Sequence, residues 1–217
     1  MKKIAMTFAA VAVLAVAAFA QTESSQDETC DGVCPIAAAM EQLPKMTFKV
    51  GEESTCCSAS AEALAKEHDA PILFVVATQD YTDKGEAMAA LADETEEFVN
   101  NFTTPSECVV SGTTTLAGRK MHCSESAGNL AESMKLAMEE IQVAYKVGDE
   151  SCSCPTQAKS LADESGEKMQ FVVGEESTCC SIDARIKVAH ARYRAALAAM
   201  AQADAPIEDT EEAGAES

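Results

Sequence analysis

The sequence predicts an α+β fold of tandem hairpin-helix (ββα) repeats: five full units, a leading half-unit and an internal duplication. Three observations carry this reading. First, Met46-Thr47-Phe48-Lys49-Val50-Gly51-Glu52-Glu53-Ser54-Thr55-Cys56-Cys57-Ser58 returns 123 residues later as Met169 to Ser181 with two substitutions, a self-similarity that marks a repeat architecture. Second, a period of 26 is nested inside the long one, because Val147-Gly148 precedes Val173-Gly174 by that interval and Val50-Gly51 precedes Val76-Ala77 by the same interval. Third, aligning the copies exposes a junction position filled by Cys34, Cys57, Asp83, Cys123, Cys154 and Cys180, each followed four residues later by alanine: Ala38, Ala61, Ala87, Ala127, Ala158 and Ala184.

The elements follow in order within each unit. Segments before the junction, such as Thr47 to Val50, Ile72 to Val76 and Gln170 to Val173, are rich in β-branched and aromatic residues and run into turns containing Gly51, Gly118, Gly148 or Gly174, which is the pattern of a tight hairpin. After the junction, alanine at four residues and Leu64, Leu130 or Leu161 at seven mark one face of a helix. Helices are expected near 58–67, 84–101, 124–141, 155–164 and 181–202. The leading half-unit, Cys30 to Leu43, keeps only its junction and helix. The two halves, 30–102 and 103–203, are expected to be related by pseudo-twofold symmetry. Pro35 and Pro155 directly follow Cys34 and Cys154. Proline favours the first helical position, so the preceding cysteine is expected at the N-cap, and Cys57 and Cys180 by alignment with it.

The ends of the chain read differently. Lys2 and Lys3 precede an uncharged apolar run from Ile4 to Phe19 that closes in Ala18-Phe19-Ala20, so residues 1–20 are expected to be a cleavable signal peptide and the protein periplasmic or secreted. Residues 21–29 read as an acidic and polar linker, and 204–217, with six acids and no base, as a disordered acidic tail. No later stretch has the roughly 20 apolar residues of a membrane span. Without residues 1–20 the chain keeps 14 bases against 36 acids, a net charge of −22. A surface so acidic repels phosphate backbones, which argues against nucleic acid, and attracts cations. The basic exception is the last helix, with Arg185, Lys187, Arg192 and Arg194. These are expected to bridge to the protein's own acids, with an acidic partner protein or self-association through helix 181–202 as the alternative.

All ten cysteines, at 30, 34, 56, 57, 108, 123, 152, 154, 179 and 180, follow the signal peptide. An even number in an oxidising compartment points to five disulfides joining hairpins to helices and repeat to repeat. The competing expectation is a soft-metal site for zinc or copper, with Cys56, Cys57, His122, Cys123, Cys152, Cys154, Cys179 and Cys180 as candidate ligands, since thiolate and imidazole select such ions. A third is thiol-disulfide exchange at Cys30 and Cys34, spaced CxxxC. An N-cap sulfur faces unpaired backbone N–H groups, which favours its thiolate. The three histidines, His68, His122 and His190, have no serine or carboxylate at a recognisable catalytic spacing. The expected function is therefore a disulfide-stapled structural or binding module that is not an enzyme.

Cys34-Pro35 followed by Phe48, Val50, Gly51, the Cys56-Cys57 pair and a helix resembles the heavy-metal-associated, zinc-ribbon-like modules of the YHS and TRASH type, and Cys154-Pro155 through Cys180 repeats the pattern. The resemblance covers residues 34–60 and 154–184. It implies a hairpin-helix shape and soft-metal binding through the cysteines. Where the modules have a third cysteine a few residues into the helix, this chain has Ser60-Ala61 and Asp183-Ala184.

Overall fold

In the computed structural model, residues 35–204 are described. The signal peptide, the linker, Cys30, Cys34 and the tail beyond Asp204 lie outside them. A short helix α1 (Pro35–Met40) leads into five hairpin-helix units. They are β1 (Met46–Val50), β2 (Glu53–Thr55) and α2 (Ser58–His68); β3 (Ile72–Val76), β4 (Gln79–Tyr81) and α3 (Lys84–Thr103); then, after β5 (Ser106–Glu107), β6 (Thr114–Leu116), β7 (Arg119–Met121) and α4 (Ser124–Glu139). The last two are β8 (Ala144–Val147), β9 (Glu150–Cys152) and α5 (Pro155–Ser165), and β10 (Met169–Val173), β11 (Glu176–Thr178) and α6 (Ser181–Ala203). The architecture is thus α+β with ββα repeats, as the periodicity predicts.

Units pair through their first strands. Units one and two share an antiparallel sheet of order β2-β1-β3-β4, and units four and five share β11-β10-β8-β9. The third unit stands apart, its hairpin completed by β5 into a sheet of order β5-β6-β7. The strand β5 has no counterpart in the repeat and was not predicted; its two residues are too few to carry a period.

One packing detail recurs in every unit. The last residue of the first hairpin strand is buried, at Val50, Val76, Leu116, Val147 and Val173, and so is the junction alanine, at Ala61, Ala87, Ala127, Ala158 and Ala184. Each alanine N–H closes the first helical turn onto the junction carbonyl at 2.9–3.2 Å. The alanine is the buried part of the first turn, the helix residues before it being exposed in the first four units, and a side chain larger than a methyl group is expected to overpack so close a contact, which is the physical meaning of alanine at the fourth position. The turns follow the sequence as well. Gly51 and Gly174 have φ of 61° and 60°, while the second unit holds Ala77 at 52°, a left-handed conformation that costs an L-residue about 1–2 kcal/mol.

The last helix organises the rest. It packs against α1, α3, α4 and β10. Tyr193 is fully buried, with the rings of Phe98 and Phe102 edge-on to it at 5.4 and 4.8 Å, and Leu43, Val99 and Leu197 complete this core. Farther along α6, Ala196 joins Leu116, Leu130 and Met134 from the third unit. The basic residues behave in part as expected. Arg185 donates to Asp93 and Glu96 of α3 at 2.7 Å each, and Lys187 pairs with Glu176. His190 is half-buried, and that burial, together with nearby Arg194, lowers its pKa, while Glu176 and Asp183 act in the opposite sense.

Substituting Ala158→Leu is expected to overpack the α5 junction and destabilise by about 1–3 kcal/mol in denaturant unfolding. Because His190 has a lower pKa folded than unfolded, the unfolded chain binds the extra proton, so stability is expected to fall as pH drops below about 6.5. His190→Gln should flatten that part of the stability curve, leaving the loss of the Glu176–Lys187 pair, whose carboxyl pKa is held low by Lys187, to act only at more acidic pH.

Candidate functional site

The residues that chemistry could use gather at the strand-to-helix junctions. Counting back from the N-cap, the residue two positions earlier is half-buried in every unit, at Thr55, Tyr81, Met121, Cys152 and Thr178, and the residue one position earlier is exposed, at Cys56, Thr82, His122, Ser153 and Cys179. The alternation is that of a strand edge, one side chain toward the helix and the next toward solvent. Thr55 and Thr178 each accept the N–H of the cysteine two residues on, at 3.2 Å, which fixes the entry of the chain into the helix.

The N-caps are then Cys57, Cys123, Cys154 and Cys180, with extended φ between −107° and −99°, and Asp83 in the second unit. The expected placement of Cys57, Cys154 and Cys180 is therefore observed. Asp83 is a conventional cap, its carboxylate accepting from Glu86 N–H at 2.9 Å. None of the four cysteines makes a cap hydrogen bond as a thiol, but first-turn donors face three of these sulfurs and favour the charged form. The Ser60 N–H and hydroxyl, then the Ala59 N–H, lower the pKa of Cys57. The Ser126 hydroxyl and N–H, with the Glu125 N–H, do so for Cys123, and the Gln157 and Thr156 N–H groups for Cys154.

Cys108 is a further activated thiol that the candidate ligand set omits. It follows β5 directly and starts a turn whose Ser111 hydroxyl and N–H lower its pKa. The signal is present in the sequence: Cys108, Cys57 and Cys123 share a Cys-x-x-Ser spacing. Without a helix after it, Cys108 falls outside the repeat alignment that located the others.

The candidate ligands are distributed as follows. Cys56 with Cys57, His122 with Cys123, Cys152 with Cys154, and Cys179 with Cys180 are neighbours only because they are close in sequence. Among the described residues, no group of three or more His, Cys, Asp or Glu gathers in a way that could hold a metal ion. The register explains part of this. Cys152 lies opposite Tyr145, Tyr145 opposite Phe171, and Phe171 opposite Thr178, one row across all four strands. Cys152 and Thr178 thus stand three strand spacings apart, about 14 Å. Cys154 caps a helix at one edge of this sheet and Cys180 a helix at the other, so the hairpin carries the two sulfurs of window 154–184 apart. The eight described cysteines are unbonded to one another; all are exposed except Cys152, which is half-buried.

Fold and junctions together define a tandem hairpin-helix repeat protein that presents thiols at its helix starts. Compared with known proteins, the chain matches no protein-family model, no curated protein and no solved structure.

With the chain reduced, Cys57, Cys108, Cys123 and Cys154 are expected to reach half-maximal alkylation rates at a pH below the ordinary thiol value of about 8.5. Peptide mass spectrometry after pulsed alkylation across a pH series checks this.

Proposed function

We propose that this chain is an exported, non-catalytic structural or binding module in which the cysteines serve as points of covalent connection through disulfides. One observation carries the reading: in four of the five full units the N-cap is a cysteine with its sulfur at the surface. A serine or aspartate would cap the helix better, and Asp83 does so in the one unit that lacks the sulfur. Cysteine at the same place sacrifices capping and gains covalent reactivity. The signal-like residues 1–20 supply the compartment in which such sulfurs pair. Disulfides also suit a chain with no tryptophan and ten phenylalanines and tyrosines, where small cores leave each unit little stability of its own.

Soft-metal binding is the second reading. It is supported by the lowered pKa of Cys57, Cys123 and Cys154, since the thiolate is the ligand form, and by the resemblance to the YHS and TRASH modules. It needs sulfur from Cys30, Cys34 or another chain to complete a site.

Counting free thiols decides between them. Protein exported to an oxidising compartment is alkylated under denaturing conditions with and without prior reduction, and intact mass is measured. No alkylated cysteine before reduction and ten after it are expected. Four or more free cysteines, with a metal adduct in the native spectrum that is lost on acidification, would overturn the disulfide reading in favour of metal.

A further inference from the structure

We propose that the junction cysteines of this chain form disulfides with those of a second copy, so that the exported protein is a covalently linked assembly. The proposal rests on the reading of the cysteines as disulfide partners, and it names the partner.

The argument begins from reach. A disulfide needs Cα atoms within about 7 Å of each other. In the sheet of β11-β10-β8-β9, the row from Cys152 through Tyr145 and Phe171 to Thr178 spans the full width, so Cys152 and Cys154 on one edge are separated from Cys179 and Cys180 on the other by about twice that reach. In the three-stranded sheet, the Cys108 N–H donates to Thr113, and Thr114 lies opposite Met121. Cys108 therefore stands two strand spacings, about 10 Å, from the His122-Cys123 junction. In the sheet of β2-β1-β3-β4, Cys56 and Cys57 follow one edge strand, and the opposite edge ends at Asp83. Among the described residues, sulfur answers no sulfur across any of the three sheets.

Direction is the second step. Except for half-buried Cys152, the described sulfurs are exposed, at strand edges and helix starts rather than beneath the helices. Adjacent sulfurs, as at Cys56-Cys57 and Cys179-Cys180, let one junction hold two neighbours. Linking opposite edges of successive copies is a head-to-tail arrangement, which builds rings or open chains of copies rather than a two-fold dimer.

The chemistry balances with an oxidant that is a small-molecule disulfide or the disulfide form of a thiol oxidase. A cysteine thiolate of one copy attacks a sulfur of that disulfide, forming a mixed disulfide and releasing a thiolate. A thiolate of the second copy then attacks the cysteine sulfur of the mixed disulfide, forms the interchain bond and expels the second oxidant thiolate. Two protein thiols lose two electrons and two protons, and the oxidant is reduced to two thiols. The lowered pKa of Cys57, Cys108, Cys123 and Cys154 supplies the attacking form near neutral pH.

The test mixes equal amounts of reduced unlabelled and ¹⁵N-labelled protein, residues 21–217, and oxidises the mixture with oxidised glutathione over a range of protein concentrations. After alkylation, the disulfide-linked peptides are read by mass spectrometry and the chains by non-reducing denaturing electrophoresis. Expected are light–heavy linked peptides as abundant as light–light and heavy–heavy together, joining Cys152/Cys154 or Cys179/Cys180 to cysteines of another copy. A ladder of oligomers should grow with concentration and collapse on reduction. Linked peptides that are only light–light or heavy–heavy, on a monomer at every concentration, would overturn interchain pairing while leaving the stapled module intact. Glutathione adducts without protein–protein links would overturn it as well. If the ladder forms here but protein from the oxidising compartment carries ten free thiols, the reading of the exported chain as disulfide-bonded fails instead.

Discussion

The close approach of each helix to its own hairpin governs the structure. At Ala61, Ala87, Ala127, Ala158 and Ala184 the fourth helical residue is buried while those before it lie nearer solvent, a close contact that a side chain larger than a methyl group is expected to overpack. The consequence runs outward from there. A helix buried at its fourth residue must turn sharply out of the strand, so the N-cap is at the rim of the unit. The residue two earlier leans under the helix, and the one between points to solvent. The surface placement of Cys56, Cys57, Cys123, Cys154, Cys179 and Cys180 is thus a by-product of an alanine contact repeated five times.

The units differ in what they add to this contact. Two pairs build four-stranded sheets through their first strands, and the third unit borrows β5 instead. The helices that end each pair, α3 and α6, are also the long ones, at 20 and 23 residues. Their extra turns extend past their own sheets and meet each other. There Phe98 and Phe102 enclose Tyr193, concentrating three of the chain's few aromatic rings at one crossing. Edge-to-face aromatic pairs contribute about 0.5–1.5 kcal/mol beyond their buried area, and this crossing joins units that share no sheet. Arg185 reinforces it from the surface by bridging to Asp93 and Glu96, although such exposed pairs contribute little individually.

The same geometry separates the sulfurs. Resemblance to metal-binding modules draws attention to Cys154 and Cys180, 26 residues apart with a hairpin between them. Antiparallel pairing of β8 with β10 turns that sequence interval into the full width of a sheet. A site that looks assembled along the chain is dispersed in space, and what remains is a pair of sulfurs at three of the five junctions, at 56 and 57, 152 and 154, and 179 and 180.

The sequence by itself determined the local structure. The 26-residue period, the glycine turns and alanine four residues after each junction gave five hairpin-helix units, with the ends of the five helices within two residues of those observed, because these signals act within one unit. It also placed Cys57, Cys154 and Cys180 at N-caps, since the first helical turn is a local event. Tertiary structure alone decided which strands pair between units, that β5 completes the third sheet, and that α6 gathers α1, α3 and α4 around the Tyr193 core. These depend on contacts between residues as far apart as Ala39 and Tyr193, for which no short period exists. The distance between one junction's sulfur and the next belongs to this second class, set by strand register and strand order rather than by spacing along the chain.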